Sequence, residues 1–238
     1  VDYGAAQPQT INQHIENRRM ISRTVLVATS NPGKLRDFAG AAAALGITIA
    51  NIPNFSSLTP VVEDGTTFEA NARKKAQSYS LAVPAELVLA DDSGIEIDAL
   101  GGAPGVYSAR YAALDVASTQ AADANTDDEA NNARALRELQ GIPPEKRTAR
   151  FVCVLAAASD GQVLQTFRGS AEGVMLDAPR GTHGFGYDPL FYFPQIDKTF
   201  AELSAEEKAQ YSHRGKAFRA FLTWYREGEL DFPSAAKR

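Results

Sequence analysis

Apolar and polar positions along the chain fall into two rhythms, one of strands and one of helices. Residues 24–29 (TVLVAT) form a β-branched run that reads as a first strand. Ser30-Asn31-Pro32-Gly33-Lys34 follows, and then Leu35, Phe38, Ala42 and Leu45 recur at helical spacing as far as a terminating Gly46. Residues 47–52 read as a second strand. Thr66 and Glu69 predict a capping box for a helix over 67–82, whose Asn71, Arg73, Lys74 and Lys75 give it a polar side, most of it read as solvated. Val88 and Leu89 read as the end of a strand buried on both faces, which stops at Asp91 and Asp92.

Beyond a glycine-rich turn at 101–105, residues 112–125 are polar and alanine-rich and read as a loop. Thr126 and Glu129 predict a cap for a helix reaching Leu139, ended by Gly141-Ile142-Pro143-Pro144. Residues 148–158 read as a long buried strand, paired antiparallel with 163–172 across Ser159-Asp160-Gly161. Ser204 and Glu207 predict another capping box, for the helix SAEEKAQY. Ser212-His213-Arg214-Gly215 interrupts it before Ala217, Phe218, Phe221, Leu222 and Tyr225 resume an apolar stripe. The expected architecture is one α/β domain over 24–238, an elongated mixed β-sheet flanked by helices with two lobes around a central cleft. Residues 1–23 lack periodicity and read as a flexible extension, with His14 solvated and Met20 an alternative start.

Composition narrows the function classes. A chain of 238 residues with 44% hydrophobic positions can bury a core. A formal net charge of −5 argues against a partner that is a nucleic-acid polymer. Cys153 is the only cysteine, so no internal disulfide forms, and its place in a strand makes it a core thiol. No apolar run has the length of a membrane span and no signal-peptide pattern is visible, so no membrane partner and a cytoplasmic location are expected.

Four segments carry candidate chemistry. Strand, glycine turn, lysine and helix suit phosphate, because a helix N-terminus presents free N–H groups and Lys34 adds charge. This is not a Walker loop: Ala28 stands where its first glycine would be and Leu35 where its Ser/Thr would be. Asp91 and Asp92 end a strand where open α/β sheets bind ligands, although Asp-Asp-Ser-Gly also suits a plain turn. Gly181 to Pro189 (GTHGFGYDP) can bring backbone and aromatic rings against a planar ligand, or form an aromatic turn. His213 and Arg214 read as an anion or base clamp, or as a polar joint. A nucleoside triphosphate uses all four. Ser30 to Lys34, Lys208 and Arg214 would serve phosphate, Glu63 and Asp92 would supply hard oxygen ligands for Mg²⁺, and a base and a nucleobase cradle complete the set.

On TSNPGK (29–34), FEANARKKA (68–76), ADDSGIEIDALGGAPGVYSARY (90–111), GFGYDP (184–189) and KTFAELSAEEKAQYSHRGKA (198–217), the chain resembles the inosine triphosphate pyrophosphatase family. These stretches run in the family's order and span nearly everything after Arg23. The resemblance implies Mg²⁺-dependent hydrolysis of deaminated purine nucleoside triphosphates (ITP, dITP, XTP) to the monophosphate and pyrophosphate, by a homodimer. It implies Asp92 as proton acceptor and, with Glu63, metal ligand, and Ser93 as a substrate contact. Thr29, Ser30, Asn31, Pro32, Gly33 and Lys34 would hold phosphates. Phe185, Gly186, Tyr187 and Asp188, with Lys208, His213 and Arg214, would hold the nucleotide and read its base. Arg214 is the candidate donor to the six-keto oxygen that distinguishes hypoxanthine and xanthine from adenine. Two positions depart from the family pattern: Asp37 where glutamate is frequent, and Ala70 where glutamate often precedes the asparagine. The alternative reading is a nucleotide-binding or sensing module without turnover.

Overall fold

The structure, a computed structural model, describes residues 24–43, 45–115 and 127–227. The extension over 1–23, Thr126 and most of the 112–125 loop lie outside the described residues. Seven strands form one sheet in the order β2-β1-β3-β4-β5-β6-β7. β1 (Thr24–Val27) is parallel to β2 (Thr48–Asn51) and to the start of β3 (Val88–Ile97). From there outwards the pairing is antiparallel: β3 with β4 (Thr148–Ser159), β4 with β5 (Gln162–Met175), then β6 (Phe191–Phe193) and β7 (Lys198–Thr199). The expected hairpin between β4 and β5 is present, turning at Asp160 and Gly161, both with positive φ.

The helices are α1 (Pro32–Ala43), α2 (Phe68–Ser80), α3 (Asp128–Glu138), α4 (Ala205–Tyr211) and α5 (His213–Glu227). Because successive strand side chains point to opposite faces, odd- and even-numbered residues of β1 and β3 build different cores. Val25, Val27, Leu87 and Leu89 pack with Cys153, Phe38 of α1 and Phe218 and Phe221 of α5. Leu26, Val88 and Ala90 pack with Phe68, Ala72 and Ala76 of α2. A third cluster occupies the other end of the sheet, where Ile95, Ile97 and Phe151 meet Ala135 of α3, Leu139 at its C-cap, and Phe191, Phe193 and Phe200. β3, β4 and β5 run through both ends, so the two ends share one sheet. Cys153 is fully buried there, and burial pushes its thiol up to about 12, as expected of a core residue.

Three expectations are corrected. The strand does not stop at the aspartates: pairing with β4 carries β3 on through Asp91 and Asp92 to Ile97. Thr67, not Thr66, caps α2, its side chain accepting from the Ala70 N–H, and Asp127 caps α3 by accepting from the Ala130 N–H. The helix break is Ser212 alone, and His213 and Arg214 form the first turn of α5. The Ser204–Glu207 capping box forms as expected.

Candidate active site

β1 pairs with β3 only as far as Val27 and Leu89, so the β3 edge from Asp91 onward opens just past the carboxyl end of a parallel strand. That is where open α/β sheets receive ligands. The 3₁₀ segment Gly105–Arg110 closes over the next part of the edge. The Ile95 N–H donates to Ser108 Oγ at 2.9 Å, and a Cβ on Gly94 would meet that oxygen at 2.3 Å. Glycine is required at 94 by this close approach.

Asp91 and Asp92 face opposite sides of the sheet. On the side of α1 and α5, Asp91 Oδ2 lies 2.7 Å from Lys34 Nζ, and Arg214 Nε lies 3.9 Å away. Burial works to raise the Asp91 carboxyl, but the Lys34, Arg214 and Lys75 charges outweigh it and hold this group well below the usual carboxylate range. Ser93 Oγ, on the same side, donates to Asp91 Oδ2 at 3.2 Å and accepts from Arg214 Nη2 at 3.1 Å. Arg214 Nη1 donates to Asp37 Oδ2 at 3.1 Å. The family departure at position 37 thus still provides a carboxylate that reaches Arg214.

On the side of α2, Asn71 Nδ2 donates to Asp92 Oδ2 at 3.0 Å, and Lys75 Nζ reaches Asp92 Oδ1 at 3.4 Å and Glu63 Oε2 at 2.8 Å. Burial pushes the Asp92 carboxyl up to about 6, Glu63 adds to the rise, and Lys75 and Asn71 oppose it. Burial alone would lower the Lys75 ammonium, yet the Asp92, Glu63 and Asp91 charges raise it, so it stays charged. Asn71 and Lys75 are buried, the exceptions to the mostly solvated polar side expected of this helix. They lie one residue before Ala72 and Ala76 of the buried stripe, and these small alanines leave room for them to reach inward. Arg73 and Lys74, by contrast, are solvated as expected, with side chains 50% and 44% exposed.

The loop leading into α1 is held by its own side chains. The Asn31 N–H donates to Thr29 Oγ1, and Asn31 Oδ1 accepts from the N–H groups of Gly33 (2.8 Å) and Lys34 (3.2 Å). Two amides expected to be free for phosphate are therefore satisfied within the loop, so Lys34 Nζ is its principal cationic group. Ser30 and Pro32 are exposed and Thr29 is buried.

The loop 181–190 approaches from the opposite side. A Cβ on Gly33 would stand 3.0 Å from the Phe185 ring, and Lys208 Nζ and the Arg214 guanidinium lie 5.0 and 5.4 Å from its centroid. Asp188 is buried, its Oδ2 accepting from Lys208 Nζ at 2.6 Å and from the Phe185 N–H at 2.9 Å. Tyr187 is buried and donates from its hydroxyl to the Ser108 carbonyl at 2.9 Å. His213 departs from the picture of an exposed clamp. Its ring is buried and stacks at 4.7 Å on Phe151, burial and the nearby Arg214 keep it neutral, and Nδ1 has no partner among the described residues. The structure thus brings Lys34, Asp91, Ser93, Arg214, Phe185, Asp188 and Lys208 into one cluster, with Asp92, Lys75 and Glu63 around the edge of β3.

The Ham1 family matches residues 25–224. A dITP/XTP pyrophosphatase of Desulforamulus reducens is 48% identical over 195 residues, covering 82% of this chain and 92% of the relative. One of Thermus thermophilus is 47% identical over 204 residues, covering 86% and 92%. The Ham1 protein of Staphylococcus aureus superposes with a TM-score of 0.71 at 37% identity, covering 86% of this chain and 98% of that one. A HAM1 protein of Coxiella burnetii gives 0.72 at 35% identity, covering 86% and 99%. Motif order, sheet and matched length agree, and the chain belongs to the Ham1 family.

Proposed function

We propose that this protein hydrolyses deaminated purine nucleoside triphosphates, ITP, dITP and XTP, to the monophosphate and pyrophosphate, so removing them from the nucleotide pool. Relatives named dITP/XTP pyrophosphatases, matched over more than four-fifths of the chain, support the substrate class. The observation that carries the chemistry is Asp92, a buried carboxylate titrating near 6 at the open edge of β3. A base with that affinity for protons is matched to neutral pH.

Asp92 takes a proton from water as the water oxygen bonds to the α-phosphorus. The bond from that phosphorus to the oxygen bridging to the β-phosphorus breaks, and pyrophosphate leaves with the bridging oxygen. Asn71 and Lys75 fix the orientation of Asp92. Lys34 neutralises the departing pyrophosphate, and the Phe185–Asp188 turn with Lys208 and Arg214 holds the base.

Glu63 and Asp92 would hold Mg²⁺. Both carboxylates reach the same Lys75 ammonium, so their oxygens already converge on a cation. Two carboxylates plus substrate oxygens is a donor set that Mg²⁺ favours, and the bound ion supplies neutralisation of phosphate charge. Among the described residues no helix is long and apolar enough to cross a membrane. We place the enzyme in the cytoplasm as a homodimer acting on free nucleotides.

The test is a panel of ITP, dITP, XTP, GTP and ATP with Mg²⁺, assayed separately for pyrophosphate and orthophosphate. Pyrophosphate from the first three supports the reading. Tight binding without turnover would instead favour a sensing module.

A further inference from the structure

The loop 181–190 is gripped from outside the cleft by the first turns of α3. Asp128 Oδ2 accepts from the Gly186 N–H at 2.6 Å, and Asn132 Nδ2 donates to the Gly186 carbonyl at 3.0 Å. Both peptide groups of one residue are thus held by two side chains one helical turn apart. Gly186 sits at φ +61°, a left-handed conformation, directly after Phe185. Behind it, between α3 and the loop, lies a groove of about 490 Å³ lined by Asn132, Leu136, His183 and Phe185. Close packing does not hold the loop on this side, so the two hydrogen bonds fix it there.

The helix itself is fastened to the structure beside β3. Asn131, the neighbour of Asn132, accepts from the Ala112 N–H at 2.8 Å and donates to the Ala109 carbonyl. A few residues away, Tyr187 donates to the Ser108 carbonyl, and Ser108 holds the Ile95 N–H of β3. Phe185 therefore sits on a loop tied by Tyr187 and by α3 to the same segment, residues 108–112, which packs beside β3.

We infer that Asp128 and Asn132 are positioning residues that set base selectivity by fixing Gly186, and with it the Phe185 ring, relative to Lys208 and Arg214. This rests on the reading that the 184–189 turn holds the base. Geometry held by such a supporting layer is what separates a selective site from a loose one. Both side chains bond to Gly186 and not to Lys34, the group proposed to meet phosphate, so their loss is felt in binding of the base half.

Asp128→Ala, Asn132→Ala and Asp128→Asn are compared with Phe185→Ala, by kcat and KM for ITP and ATP and by inhibition with pyrophosphate. Asp128 is exposed, so its replacement leaves the core intact. Both clamp alanine variants are expected to raise KM for ITP about fivefold or more with kcat within about twofold. They should lower the ITP-to-ATP ratio of kcat/KM about threefold or more and leave pyrophosphate inhibition unchanged. Asp128→Asn, which keeps an acceptor oxygen, should behave as wild type. A wild-type ratio in both clamp alanine variants, with a lowered ratio in Phe185→Ala, overturns the clamp alone. A wild-type ratio in Phe185→Ala as well overturns the base-loop reading and the clamp with it. A parallel loss of pyrophosphate inhibition shows a general distortion and also overturns the inference.

Discussion

Asp91 and Asp92 are consecutive on β3 and point to opposite faces of the sheet, which gives two identical side chains opposite acid–base behaviour. Asp91 meets Lys34 and Arg214 and stays ionised, whereas Asp92 meets Asn71, Lys75 and Glu63 and is pushed up to about 6. One carboxylate organises cations, and its neighbour is the one proposed to take the proton.

Replacing Asp92 by asparagine should lower kcat about 100-fold or more, the usual size of a general-base contribution. A carboxyl whose folded value is raised stabilises the fold most below its unfolded value of 3.8, and that stabilisation is lost as pH rises through about 6. Asp92→Asn should therefore melt no lower than wild type at pH 7.5, and any gain should shrink at pH 5. Activity within a few-fold of wild type would remove Asp92 from its role.

The wild-type profile of kcat/KM should rise with pH through a limb at or below about 6, since Mg²⁺ beside Asp92 opposes the rise that burial causes. In Asp92→Asn that limb should vanish. A limb that survives unchanged belongs to another group.

Asp91→Asn should act chiefly on stability. It leaves the nearly inaccessible Arg214 and the adjoining Lys34 without their buried counter-charge. Removing one member of such a set costs about 3–5 kcal/mol, readable as a lower urea midpoint. An unchanged midpoint would mean that Asp37 alone compensates Arg214.

Lys34→Ala should weaken ITP far more than IMP if, as proposed, the lost charge faces the polyphosphate. Equal losses for the two ligands, measured by calorimetry, would show that Lys34 lies elsewhere relative to the substrate.

Arg214→Ala should erase most of the preference for ITP over ATP, expected at tenfold or more in the wild type. Its guanidinium has five N–H donors, and Asp37 and Ser93 each take one, so donors remain for a keto oxygen. A buried donor facing the adenine amino group costs about 1–3 kcal/mol. A wild-type ITP-to-ATP ratio in the variant would exclude Arg214 from base reading.

Local patterns exposed much of this in the sequence. The β-branched run at 24–29, strand over Thr24–Val27, the Asp160-Gly161 hairpin and the Ser204–Glu207 box each depend on neighbours in the chain, and each formed. The site's inner arrangement depends on partners far along the chain. Asp91-Asp92-Ser93-Gly94 has turn composition, but the backbone pairing with β4 and the cations of Lys34, Lys75 and Arg214 turn it into buried strand. Asn71 and Lys75 looked solvated because their partners, Asp92 and Glu63, lie elsewhere in sequence. The available signal was their position beside two alanines of the buried stripe.

Hydrolysis of ITP in ¹⁸O-labelled water, under single turnover with Mg²⁺, tests attack at the α-phosphorus most directly. Mass spectrometry should find one ¹⁸O in the IMP phosphate and none in the pyrophosphate. Label in pyrophosphate, label in orthophosphate, or no turnover at all would contradict the account.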